Sequence, residues 1–212
     1  MKRTIKRQSP ELNNRKWQAV VEITTAYAWQ KDRFLVDYGR PSVFARYVNH
    51  RGARNELVAA GYKGLFSLQA RQWKMALKDA FETVDRHWLA LAEDLRSLVM
   101  VQKKEGRFAE EQAHYAFWVL KSSQRMTQLV GGEAPRPTHF EIEYNEMRQA
   151  VAYLRRVIRR KRGSNPRGRK ARSFALDAEM YTVFEQNGQQ YIKTMGLSPG
   201  RFLVMPFSGQ GE

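Results

Sequence analysis

Apolar residues recur along the middle of the chain at Trp73, Leu77, Phe81, Val84, Trp88, Leu91, Leu95 and Leu98. Steps of four and three residues place them on one stripe of a helix. Ser67, whose hydroxyl can accept from the open amides of a first turn, is the expected N-cap. Continued to about Lys103, the helix is roughly 50 Å long at 1.5 Å per residue. Glu105-Gly106 reads as a turn, followed by a second stripe of Phe108, Tyr115, Trp118, Val119, Met126 and Leu129. Two amphipathic helices joined so closely should pack antiparallel. Gly131-Gly132 and the prolines Pro135 and Pro137 end this hairpin, and a further helix from about Glu141 puts Met147, Val151, Leu154 and Ile158 on one face. Ahead of the long stripe, a helix is expected from Ser9-Pro10 through Trp17, Val20, Val21, Ile23 and Tyr27. Residues 30–66 are cut by Gly39, Pro41, Gly52, Gly61 and Gly64 and read as short helices and loops.

The periodicity changes after Ser173. MYTVFEQ and QQYIKTM flank Asn187-Gly188, the strongest short-range sign of a β-hairpin. Arg201 to Pro206 reads as a third strand, and KRTIKRQ at residues 2–8 as a short edge strand. The fold class is therefore α+β, with the boundary between helical and β parts near residues 163–172.

Charge changes the picture most. The 212 residues carry 37 Lys and Arg against 21 Asp and Glu, a formal net charge of +16. Such an excess repels itself in the compact state, and a polyanionic partner relieves it. No window approaches the roughly 20 consecutive apolar residues of a membrane span. The basic start is followed by polar Thr4 to Gln8 rather than the apolar core of a signal peptide. The absence of cysteine excludes disulfides and thiolate zinc sites and suits the cytoplasm, the expected location.

The cations are concentrated. Residues 155–172 hold ten Lys or Arg and no acid: Arg155, Arg156, Arg159, Arg160, Lys161, Arg162, Arg167, Arg169, Lys170 and Arg172. Guanidinium forks match phosphate geometry. A solvated basic linker is the plain alternative, but uninterrupted cation density at a boundary between folded parts favours phosphate contact. In the β part, Tyr181, Phe184, Tyr191 and Phe202 could stack on unpaired bases, although alternate aromatics in short strands more often form core. Arg71, Gln72, Lys74 and Lys78 lie on or beside the polar face of the long helix. Such a face could enter a major groove, yet a solvated face is the default. His50, His87, His114 and His139 are scattered, so neither a metal nor another cofactor is expected. No phosphate loop, dinucleotide fingerprint or nucleophile elbow occurs, no carboxylate pair stands out, and no catalytic residue is assigned.

The run YLRRVIRRKRGSNPRGRKARSFALDAEMYTVFEQNGQQYIKTMGLSPGRFLVMPFSG resembles the end of the N-terminal half of TnpB/OrfB proteins and of the related type V CRISPR effectors. The carriers are Asn165-Pro166-Arg167 with Arg169-Lys170, then Ser173 to Asp177 through Tyr181, then Gly200-Arg201 with Met205-Pro206-Phe207. LFSLQARQWKMALKDAFETVDRHW and TTAYAWQKDRFL are similar to two helices of that family. The resemblance implies a helical recognition lobe, with its long antiparallel helix hairpin, inserted in a small OB-like β-barrel wedge domain. Residues 1–10 would form the first wedge strand, 11–162 the recognition lobe, 163–172 a basic strap and 173–212 the rest of the wedge. It implies guide RNA and target DNA as partners, with RNA held by the ten cations above and Tyr27, Gln69, Gln72 and Lys74 aimed at a short flanking DNA motif. Sequence is then read by base pairing, while the protein reads duplex shape and that motif. The family continues into a RuvC nuclease and often a zinc ribbon. Neither is among these residues, so cutting is not expected of this chain alone, and a separate RuvC-type nuclease chain is a conceivable partner. A guide-independent DNA-binding regulator and a structural RNA-binding protein are the rival expectations.

Overall fold

The computed structural model describes residues 11–163, 166 and 174–207. Among them are seven helices: α1 (Asn14–Tyr38), α2 (Pro41–Phe44), α3 (His50–Ala59), α4 (Ala70–Lys104), α5 (Glu110–Leu120), α6 (Ser123–Gly131) and α7 (Tyr144–Lys161). Three strands follow, β1 (Tyr181–Gln186), β2 (Gln189–Met195) and β3 (Phe202–Phe207). They form an antiparallel sheet in the order β1-β2-β3, an open meander rather than the closed barrel expected. The expected first strand at residues 2–8 and the helix start at Ser9-Pro10 lie outside the described residues.

The chain forms two compact units that are not collinear with the sequence. Residues 1–33, 58–79 and 168–212 belong to the first, and 34–57 with 80–167 to the second. Helices α1 and α4 each contribute to both, so the helical part expected as a single lobe is shared.

In the first unit, α1 starts after Asn13, whose Oδ1 accepts from the Lys16 amide at 3.0 Å. Ile23, Tyr27, Trp73, Ala76, Leu77, Met180 and Leu203 are buried in this unit. The glutamine Gln30 is wholly buried there, and its Oε1 accepts from the Leu65 amide at 2.8 Å. The β1–β2 turn has Asn187 at φ 53° and Gly188 at φ 73°. Left-handed backbone at both central residues is the twist-matched hairpin turn that Asn-Gly supplies. Register runs from Tyr181 opposite Thr194 to Gln186 opposite Gln189.

The second unit holds the long stripe from Phe81 onward. Phe81, Val84, Trp88, Leu91 and Leu95 are all buried, and the last turn closes on Val99 rather than Leu98. The second stripe is not one helix. Chain direction changes at Lys121–Ser122, where the Ser122 hydroxyl accepts from the Arg125 amide and begins α6. A side-chain acceptor for an open amide stops α5 as effectively as it starts α6. The expected antiparallel arrangement holds locally, because paired residues run in reverse order along the chain. Lys103 pairs with Glu110, Arg96 reaches the Leu120 carbonyl, and Ser123 bonds Asp85. Helix α7 lies against α5 and α6 and buries Ala150, Val151, Leu154 and Ile158.

The expected cap of α4 is also corrected. Ser67 sits at φ 61°, outside the helix. Gln69 is the N-cap residue, and its amide is met by Gln72 Oε1 at 2.9 Å. Reaching back from the third helical position, Gln72 completes half of a capping box.

Candidate nucleic-acid interface

Six of the ten expected phosphate-binding cations are described, all at the C-terminal end of α7 in the second unit. Arg148 extends them by two turns, and Glu146 is the last acid before Gly163. At 100° per residue, Arg148, Arg155, Arg159 and Arg162 fall along one border of the buried stripe. Arg156 points directly away from the stripe and Arg160 lies between that outer face and the other border, with Lys161 in the final turn. Cations there also meet the negative end of the helix dipole, worth about 0.3–1 kcal/mol each when exposed.

The structure separates these residues into two kinds. Arg155 is half-buried. Its Nε donates to the Leu129 carbonyl at 2.8 Å and a terminal nitrogen donates to the Gly132 carbonyl at 2.6 Å. Those carbonyls end α6, where the last helical acceptors lack intrahelical donors. Arg155 therefore joins α7 to the end of α6, a role that the charge run did not reveal. Arg162 is half-buried, and its backbone bonds the His87 ring. By contrast Arg156, Arg159, Arg160 and Lys161 are exposed. Only Arg156 has an aromatic partner, its guanidinium lying 5.8 Å from the Tyr153 ring centre. None of the four forms an ion pair with an acid among the described residues. The remaining expected cations, Arg167, Arg169, Lys170 and Arg172, lie outside the described residues.

His87 meets this surface through Arg162. Burial pushes its pKa below the usual histidine value and the Arg162 charge adds to the depression, while the hydrogen bond to the Arg162 backbone opposes them. Tyr115, behind α7, is pushed up to about 12 by burial and donates to the Pro135 carbonyl at 2.8 Å.

The four residues assigned to a flanking DNA motif are in the first unit, and two are inside it. Tyr27 is fully buried, with its ring 6.3 Å from that of Phe174. Gln72 is also fully buried, and its Nε2 donates to the Met195 and Gly196 carbonyls at 3.3 Å. Gln69 Nε2 donates to the Gly196 carbonyl at 2.6 Å and the Ser198 carbonyl at 3.1 Å. Lys74 is half-buried, with Nζ 5.7 Å from the Trp73 ring centre. Tyr27 and Gln72 thus cannot meet base edges, and both glutamines hold the β2–β3 connection. A polar residue on a helix face was legible. The neighbouring loop that absorbs its hydrogen bonds was not.

Of the aromatics weighed as stacking platforms, Phe184 and Tyr191 stack on each other at 5.4 Å and 16°. Tyr181 and Phe202 remain exposed. Among the described residues no group of three or more His, Asp or Glu could hold a metal ion. No helix among them is long and apolar enough to cross a membrane. No family model matches the chain, and no curated protein or solved structure matches it.

Proposed function

We propose that the chain grips RNA by its phosphates, as the guide-RNA-binding and target-recognising module of an RNA-guided effector of the TnpB or type V class. The observation that carries the binding reading is the set Arg156, Arg159, Arg160 and Lys161, exposed together on an acid-free end of α7. Phosphate contacts position a strand without reading its sequence, which suits a protein that leaves specificity to base pairing. The guide and target assignments rest on the sequence resemblance at residues 153–209. The three-stranded sheet takes the place of the OB-like wedge in this reading.

The test is the salt dependence of RNA binding after replacing these four residues by Ala together. The slope of log affinity against log salt should become shallower by about 0.7 to 0.9 for each phosphate that the variant no longer neutralises. Affinity should fall for related and unrelated sequences alike. An unchanged slope in a variant that keeps its circular dichroism would overturn the assignment. Sequencing of co-purified RNA addresses the guide reading. One defined species, and binding of complementary DNA only in its presence, are expected; a random mixture with direct DNA binding would favour a guide-independent regulator.

A further inference from the structure

A second surface, wholly within the first unit, has the chemistry of a nucleotide site. An open groove of about 500 Å³ runs between the start of α1 and the β2–β3 connection with the first half of β3. That volume is within the range of small-ligand sites, about 300–1,000 Å³. Its rim carries Arg15, Lys16 and Arg201, with Glu22 the one acid among the described residues of the lining. Ile23 and Leu203, both buried, lie beneath it. Space is left because Ala19, Gly196 and Ser198 are small.

Phe202 also lines the groove while 56% exposed. A phenylalanine left that open loses hydrophobic stabilisation unless something covers it. Lys193 Nζ lies 4.3 Å from its ring centre, while more than half of the residue stays exposed. Aromatic ring, apolar floor and cationic rim correspond to base, sugar and phosphate.

The groove is also held in shape before any ligand arrives. The Gly196 amide donates to the Arg201 carbonyl at 2.9 Å, and the Arg201 amide to the Ser198 carbonyl at 3.1 Å. A side chain at Gly196 would put its Cβ 3.1 Å from that Arg201 oxygen. From the other side, Gln69 and Gln72 bind the Gly196 carbonyl. A wall fixed by its own hydrogen bonds pays less ordering entropy on binding.

We propose that this groove binds an unpaired nucleotide of a single strand, its base stacked on Phe202 and its phosphates on Arg15, Lys16 and Arg201. The polyanion's identity rests on the nucleic-acid reading above, but the residues, the unit and the ligand's strandedness differ. The probes are a labelled single-stranded RNA of about ten nucleotides, within the usual site size, a duplex of equal length, and adenosine monophosphate.

Phe202→Ala should weaken single-strand binding by about five- to a hundredfold, the span of one base stack, and leave duplex binding nearly unchanged. Phe202→Tyr should restore it. Arg15→Gln with Arg201→Gln should make the salt slope for the single strand shallower, a second readout should Phe202→Ala lose its fold. Single-strand affinity untouched by both sets of changes overturns the proposal. So does adenosine monophosphate binding as tightly as the strand, which would assign the groove to a free nucleotide. If the α7 variant retains full RNA affinity while Phe202→Ala loses it, the function proposed for α7 fails and the groove stands. The reverse result separates them the other way.

Discussion

Arg155 and Arg159 stand four residues apart in one basic run, yet their surroundings give them opposite expectations. Arg155 donates to two carbonyls at the end of α6, and Arg159 is exposed. Arg155→Ala leaves those carbonyls without a charged donor and should cost about 1.5–3 kcal/mol, read as a lower midpoint in urea. Arg155→Lys should recover only part of it, since an ammonium cannot span both acceptors as a guanidinium fork does. Arg159→Ala should leave the midpoint nearly unchanged and lower RNA affinity. His87 makes a pH prediction. Its folded pKa lies below its ordinary value, so the unfolded chain binds the proton more readily. Its stabilising contribution is present above about pH 6.5, the unfolded value, and is lost as pH falls through the lower folded pKa. Urea midpoints measured from pH 7.5 down to 5 should therefore decline, and His87→Gln should flatten part of that decline.

Among the elements, the β1–β2 hairpin depends on two left-handed residues at its turn. Gly188, at φ 73°, tolerates this without a Cβ clash. Gly188→Ala should cost about 1–2 kcal/mol, the left-handed penalty of an ordinary residue. Because the sheet belongs to the first unit, amide exchange should accelerate across β1 and β2 while α5 and α7 keep their protection. An equal acceleration in α7 would show instead that the hairpin unfolds only with the whole chain. The hairpin was legible because turn chemistry and strand alternation are both local. The α5–α6 break was not: the apolar stripe continues through it from Val119 to Met126, and only the Ser122 cap ends one helix and starts the next.

For the whole molecule, a net charge of +16 predicts tight, salt-sensitive association with polyanions. The protein purified at low salt should carry RNA, seen as an ultraviolet absorbance ratio that falls on RNase treatment. Protein free of nucleic acid that also fails to shift RNA at moderate salt would contradict this.

Period, turn chemistry and charge were readable because each depends on residues close together in the chain. They determined the long stripe of α4, the Asn187-Gly188 hairpin, the passage from helix to strand and the basic end of α7. Tertiary structure decided what each polar side chain faces. Gln72 looked like a base reader on a helix surface and is buried against the β2–β3 connection more than 120 residues away. Arg155 looked like its neighbours and is tied to the end of α6. The groove of Arg15, Lys16, Arg201 and Phe202 has no counterpart in any sequence window, since its halves lie nearly the length of the chain apart. Hydrogen-bond partners and shared cavities arise from long-range packing, which composition and spacing do not encode locally.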